Sequence, residues 1–483
     1  MISLKRPIIN QIVFFLLLAM VASFFFSVAL NSILIGVFML PFLIDIRNIK
    51  ENIYRYLGET RNIFLLLILC SLLLSIVYSS DKNSAWMAIF AALPLASFPL
   101  SFSILPVSSL SSQKIQLLKR IYILVCLVAT LILLVKAIMH TGLLDSSYKA
   151  LAAPELQDDY IAYRLTYHQL SGGLHAVVLS LFITLAIFFI VFSSKNTSWR
   201  RRLLRSITII YFLFFMLLLK SITINFALYS FLIVYFYFTF SFNKLYQYFT
   251  FFGTVITGAA VMGYLGILKY LDSEGKAVYL FDDTAINKKM LIFFLLLLFT
   301  ALIAILIKLA FRKKYLNIIL SVFIIVSFGL IIYSQNKDNE KQMNDTKDSN
   351  VTVRVKYGRA ALQVIYAHPI LGIGIGDKKN SVVMKSDPLP AGARPEHVFN
   401  SHNQFLDFWV AAGILPFIFF ILFMINEFKK AWQRKNFVYL GLVYAFCLFC
   451  LTDSAMMIQR AQIFFLFFIL IFENEYNRST STK

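Results

Sequence analysis

The residues best placed to do chemistry lie in one polar interruption of an otherwise apolar chain. Between Tyr333 and Phe405 the sequence turns polar, and that stretch ends in Ser401-His402-Asn403-Gln404. The next residues, Phe405 to Gly413, run straight into another apolar segment. An imidazole at that junction can take a proton from a hydroxyl near neutral pH. Upstream, Arg354 and Arg359 carry guanidinium forks that match phosphate oxygens. Between them and the histidine lies His368-Pro369-Ile370-Leu371-Gly372-Ile373-Gly374-Ile375-Gly376-Asp377. Proline stops a helix there, and the alternating glycines permit backbone angles closed to other residues. Such a turn can aim amides at an anion, or simply pack as a glycine-rich loop. It lacks the G-x-G-x-x-G arrangement and its strand–helix setting, so a nucleotide fold is not indicated. A lone histidine at a helix start also serves as a cap or an interfacial residue. Together with arginines, a glycine turn and a membrane edge, it suits transfer from a lipid-linked diphosphate to an alcohol. Asp377 and Asp407 are alternative bases.

The element that must present the arginines is a helix over Asn350–Ile365. Apolar residues at 353, 357, 361, 364 and 365 fall on one helical face. Arg354 and Arg359 are five residues apart, hence about 140° apart around that helix, so they need not address one ligand. The opening of the polar stretch, Gln335 to Asn350, reads as a solvated linker.

The rest of the chain must hold this stretch at a bilayer. It has 483 residues, 59% hydrophobic and only 14% charged, with a mean hydropathy of +0.76. A soluble domain is nearer half apolar and a quarter charged, so lipid must solvate much of the surface. A spanning helix needs about 20 predominantly apolar residues. On that rule the sequence predicts spans near 10–28, 30–46, 62–79, 85–104, 121–139, 173–194, 207–219, 222–242, 249–269, 290–310, 316–333, 404–426, 437–452 and 456–472. That is an all-α polytopic membrane protein with about fourteen helices, twelve or thirteen being the alternative. The domains are an N-terminal transmembrane region 1–333, a large outer loop 334–403, a C-terminal transmembrane region 404–472 and a cytoplasmic tail 473–483.

The formal net charge of +21 would suggest a nucleic-acid partner on a soluble protein. Here the positives fall mostly between apolar spans, and orientation is the better reading. With the N-terminus inside, 25 of the 45 basic residues fall in inner segments, ten in the long loop and ten elsewhere. Trp199-Arg200-Arg201-Arg202-Leu203-Leu204-Arg205 is the strongest inner cluster, and Lys288-Lys289 dissents. All six histidines fall in or beside outer segments. Cys70, Cys126, Cys447 and Cys450 lie inside apolar spans, so Cys447-x-x-Cys450 reads as packing rather than as a redox or metal pair.

These residues resemble the O-antigen ligase and O-antigen polymerase superfamily, bacterial membrane proteins with a large periplasmic loop before their last spans. In the ligases a His-[Asn/Ser/Gln] pair is followed nine residues later by Gly-x-x-Gly. His402-Asn403, nine residues and then Gly413-Ile414-Leu415-Pro416 match this through the first glycine, with Pro416 in place of the second. The segment from Arg354 through Gly372, Gly374, Gly376 and Asp377 resembles the family's Arg…Pro-Leu-x-Gly-x-Gly-x-Gly stretch. Asp453 to Arg460 resembles its acidic-to-basic stretch between the last two helices. The likeness covers about 335–470 and departs from the family once more. Where many members carry an arginine at the outer start of a middle span, this chain has Leu219-Lys220-Ser221. Lys220 is the nearest cation, and Arg164, with Tyr167-His168 behind it, is the other replacement.

The resemblance implies a GT-C-like, inverting, metal-independent glycosyltransferase without cofactor in the bacterial inner membrane, its site facing the periplasm. The donor would be an undecaprenyl diphosphate-linked glycan and the acceptor lipid A-core or another glycan. Arg354, Arg359, Lys220 and Arg164 would bind the diphosphate. His402 would be catalytic, with Asn403, Gly413 and the glycine turn as support and His168, Asp453 and Arg460 as weaker candidates. A polymerase of the same superfamily is the alternative. A polysaccharide transporter or flippase is more distant, because polar density gathers at one face rather than at mid-membrane.

Overall fold

A computed structural model describes residues 6–26, 28–44, 49–104, 111–140, 170–192, 198–239, 269–271, 277–279, 350–378 and 401–481. It is helical apart from one antiparallel ladder, β1 (Lys269–Leu271) with β2 (Ala277–Tyr279), in which Tyr270 faces Val278. The expected spans over 249–333 otherwise lie outside the described residues, as do Arg164 and His168.

The helices are α1 (Arg6–Phe26), α2 (Val28–Ile44), α3 (Ile49–Leu57), α4 (Thr60–Ser75), α5 (Lys82–Ala92), α6 (Pro94–Ile104), α7 (Ser112–Met139), α8 (Ala176–Val191), α9 (Trp199–Leu218) and α10 (Ile222–Thr239). After the polar stretch come α11 (Asn350–Ala367), α12 (Gln404–Ala412), α13 (Ile414–Gln433), α14 (Phe437–Thr452) and α15 (Gln459–Ser481), with a 3-10 turn at Ala455–Met457. Among the described residues, Lys82–Ser103 and Ser112–Met139 are long and apolar enough to cross a bilayer. The bent pair Lys50–Leu57 and Thr60–Ser75, at 95°, makes a third if read as one span. Five more apolar helices run only 10–17 residues, so the count of fourteen remains a reading of the sequence.

Two helices form the centre. α8 is buried at every position from Ala176 to Ile190, and α15 from Ala461 to Phe472. A helix apolar all round is one with neighbours all round. Aromatic rings join them to α1: Phe182 and Phe464 lie 4.3 Å apart, and Phe24 meets Phe464 edge-on at 5.4 Å. The phenol of Tyr122 donates to the Phe182 carbonyl at 2.6 Å. α7, by contrast, leaves Leu124, Val128, Ile132 and Val135 exposed, a stripe suited to lipid.

The expected helix over 404–426 is two helices. Phe405 and Phe420 would stand about 22 Å apart along one straight helix, yet their rings are 5.0 Å apart. The rings of Phe408 and Phe420 are 5.2 Å apart, and those of Trp409 and Phe417 4.5 Å. The chain therefore folds back at Gly413, whose φ of 80° and ψ of −165° are open essentially only to glycine. Pro416 falls in the first turn of α13, where an N–H has no intrahelical partner to lose. The departure from Gly-x-x-Gly thus removes no helical hydrogen bond.

Charge sorts to the opposite end of the bundle. Buried Arg61 on α4 donates to Glu427 on α13 at 2.8 Å, to Glu473 on α15 at 2.8 Å and to the Tyr439 phenol on α14 at 3.0 Å. Lys430 pairs with Glu59 at 2.8 Å, and Arg434 pairs with Glu473. This network ties four helices together at the end expected to face inward.

Candidate active site

His402 sits where three elements meet. It takes φ 47°, the left-handed region, which costs most residues roughly 1–2 kcal/mol. The next residue explains how that backbone is held. Asn403 caps α12, its side-chain oxygen accepting from the amides of Phe405 at 2.9 Å and Leu406 at 3.2 Å. Its amide nitrogen donates to the Leu451 carbonyl at 3.3 Å. Gln404, fully buried, accepts from the Met456 amide at 2.8 Å. α12 is thereby fixed to both the end of α14 and the 3-10 turn beyond it.

Asp453, which ends α14, lies between two imidazoles. His402 Nδ1 is 3.6 Å from its Oδ1, and His175 Nε2 is 3.6 Å from its Oδ2. The Ser454 amide also donates to Oδ1 at 2.8 Å. Burial works against the charge, but His402 and His175, with that amide, hold the Asp453 carboxyl below the usual carboxylate value. Asp453 was among the weaker expected residues, and the structure places it directly beside His402. His175 was not singled out from the sequence. The available signals were its place at the outer start of an apolar helix and the outward bias of all the histidines.

α11 forms where expected, and among its described side chains, from position 357 on, the buried ones are Tyr357, Ala360, Ala361, Val364 and Ile365. The Tyr357 ring lies 6.1 Å from the His402 imidazole. Position 354 is one turn earlier, about 60° round from Tyr357, whereas position 359 is about 160° away. Arg359 is accordingly exposed.

The glycine turn is a packing joint, the second of the two readings open from the sequence. Its amides are used inside the protein. Gly372 donates to His368 O at 3.1 Å, Ile373 to Val410 O at 2.9 Å and Gly374 to Ala411 O at 3.1 Å. Ile375 donates to Ser75 Oγ at 3.2 Å and Gly376 to Ser79 Oγ at 3.1 Å. A Cβ on Gly374 would stand 2.3 Å from Ser79 Oγ, and one on Gly376 2.1 Å from Asp81 O. The small residues let the turn sit against the end of α4.

The alternative bases are occupied. Asp377 accepts from the Ser80 amide and hydroxyl, each at 2.6 Å, and from the Asp81 amide at 2.9 Å. Burial opposes its ionisation, but those bonds hold its carboxyl below the usual value. Buried Asp407 accepts from Ser401 Oγ at 2.7 Å and pairs with Lys378 at 3.4 Å. Both carboxylates brace loops.

Lys220 lies in the short turn between α9 and α10 with φ 52°, and burial brings its ammonium down to about 8. Arg460 lies at the start of α15, partly buried. Both belong to the same end of the bundle as His402.

Residues 287–421 match a family model described as O-antigen ligase. The match takes in α11, α12 and the first turns of α13, and so includes His402, Asn403 and Gly413. No curated protein matches the chain.

Proposed function

We propose, on the match of residues 287–421 to the O-antigen ligase family model, that this chain is an O-antigen ligase-like glycosyltransferase. It moves a glycan from undecaprenyl diphosphate to a sugar hydroxyl of lipid A-core at the periplasmic face of the inner membrane. The observation that carries this reading is the approach of His402 Nδ1 to Asp453 Oδ1 at 3.6 Å. A carboxylate on Nδ1 favours the tautomer that keeps the proton there and makes Nε2 the basic nitrogen. Nε2 takes the proton of the acceptor hydroxyl as its oxygen attacks the anomeric carbon. The bond to the diphosphate oxygen breaks, and undecaprenyl diphosphate leaves with the electron pair. Attack opposite the leaving group inverts the anomeric centre, and Asp453 offsets the imidazolium formed.

Cations must neutralise the departing diphosphate, the electrostatic part of such a reaction. Arg354, at a position on the Tyr357 side of α11, is the first assignment, and Lys220 and Arg164 are the further ones. Arg359 stands on the other face of α11, so it reaches the donor from a different side than Arg354. No metal ion is required in this scheme, because side-chain cations take its place.

The test is the lipopolysaccharide banding of a deletion strain. Complementation with the wild-type protein restores the ladder of O-antigen bands. His402→Ala leaves bare lipid A-core. Lipid A-core carrying a single repeat unit in the deletion strain would identify a polymerase instead. A full ladder with His402→Ala would remove the catalytic assignment.

A further inference from the structure

We propose that His175 is a positioning residue of this site: by holding Oδ2 of Asp453 it turns the carboxylate so that Oδ1 meets His402. The proposal rests on the reading of His402 as the base. Three features carry it. First, His175 stands at the N-cap of α8 but makes no side-chain cap hydrogen bond. Residues chosen for capping are Ser, Thr, Asp or Asn, so capping does not account for the imidazole. Second, its Nε2 faces Asp453 Oδ2 at 3.6 Å, the same separation that His402 keeps from Oδ1. Third, its ring lies nearly parallel to Phe449, with centroids 6.5 Å apart and planes at 25°. Phe449 is one turn before Asp453, and its carbonyl accepts the Asp453 amide at 2.8 Å. α8, buried along its length, fixes where that imidazole can be.

The three groups come from three elements, the starts of α8 and α12 and the end of α14. An aspartate χ2 is a broad torsion, not a sharp well. The Ser454 amide and His402 both meet Oδ1, and partners on that oxygen alone leave Oδ2 free to swing about χ2. With an imidazole on each oxygen, the plane of the group is set. This extends the usual arrangement, in which a base is oriented by a third group, by one further member.

The experiment uses purified full-length protein with undecaprenyl diphosphate-linked glycan and lipid A-core. His175→Ala is expected to lower kcat roughly 10- to 100-fold, the scale of a misplaced catalytic group, with KM for the donor unchanged. His175→Gln, which can return an N–H near Oδ2, restores most of the rate. His175→Phe, which keeps the ring beside Phe449 but has no donor, does not. In an Asp453→Asn background His175→Ala has little further effect. A His175→Phe protein as active as wild type overturns the proposal, because the ring then only packs. So do His175→Ala and Asp453→Asn effects that multiply independently. If His175→Ala fails to fold, the Gln and Phe pair decides. Failure of the underlying reading looks different: wild type transfers no glycan or His402→Ala retains transfer, and both ideas then fall together.

Discussion

A left-handed histidine is held against its own preference only where its neighbours over-determine it, and such positions cluster at functional sites. His402 has Asn403 capping the following helix, Ser401 bonded to buried Asp407 and Asp453 beside its ring. Lys220 is a second non-glycine residue with positive φ, and its altered proton affinity gives a test at this scale. Burial favours its neutral form and moves it from 10.5 to about 8. In the free enzyme it is a cation below pH 8 and loses that charge as pH rises through 8. If it binds the diphosphate, kcat/KM for the donor falls above about pH 8, since that ratio reports the free enzyme. Lys220→Arg, charged throughout the range, should flatten that limb. An identical limb in the variant would remove Lys220 from donor binding. The stability effect has its own sign. Between pH 8 and 10.5 the unfolded chain holds a proton that the folded one has released, so this group's contribution to stability rises with pH across that window.

At the scale of elements, glycines decide how α11, α12 and α13 meet. A Cβ on Gly413 would stand 1.8 Å from the Ile370 carbonyl, backbone that cannot swing aside, and φ there is 80°. Gly358 in α11 has open space where its Cβ would be. Gly413→Ala should therefore destabilise the protein by at least about 1–3 kcal/mol from backbone strain alone, whereas Gly358→Ala should stabilise it by about 0.5–1 kcal/mol. Thermal unfolding in detergent would show the two shifts in opposite directions, and equal shifts would mean that the fold-back is not as described. The same pair shows what could be read from sequence. The helical face of α11 was legible because its apolar spacing is local and Pro369 marks its end. The hairpin of α12 and α13 was not, because the apolar pattern runs on through Gly413 and the break lies in one torsion. His402 was legible by type and setting. Asp453 was legible as a candidate but not as its partner, and His175 was not legible at all: 175, 402 and 453 come from three elements, and only tertiary packing brings them together.

For the whole molecule, the structure separates two kinds of polar group along one axis. From Arg61 to Ser75, whose hydroxyl accepts the Ile375 amide of the glycine turn, α4 rises about 21 Å. From Gly413 to Glu427 on α13, and from Gln459 to Glu473 on α15, the rise is about 21 Å each. The Arg61, Glu427, Glu473 and Tyr439 network thus lies a bilayer-scale distance from His402, Asp453 and His175. Lipid-facing helices must satisfy their backbone internally, but side chains with charge gather at the two ends, and basic residues gather inside. The proposed orientation follows: the network inward, the histidines outward. Single cysteines test it. In a background with Cys70, Cys126, Cys447 and Cys450 replaced by alanine, Gln363→Cys on α11 and Gln433→Cys at the end of α13 both place a thiol at an exposed position. A membrane-impermeant maleimide added to intact spheroplasts should label position 363 and spare 433 until the membrane is opened. The reverse pattern would invert the protein and put His402 on the cytoplasmic face, away from any periplasmic acceptor. Equal labelling of both in intact spheroplasts would place the two ends on one side and undo the bundle's polarity.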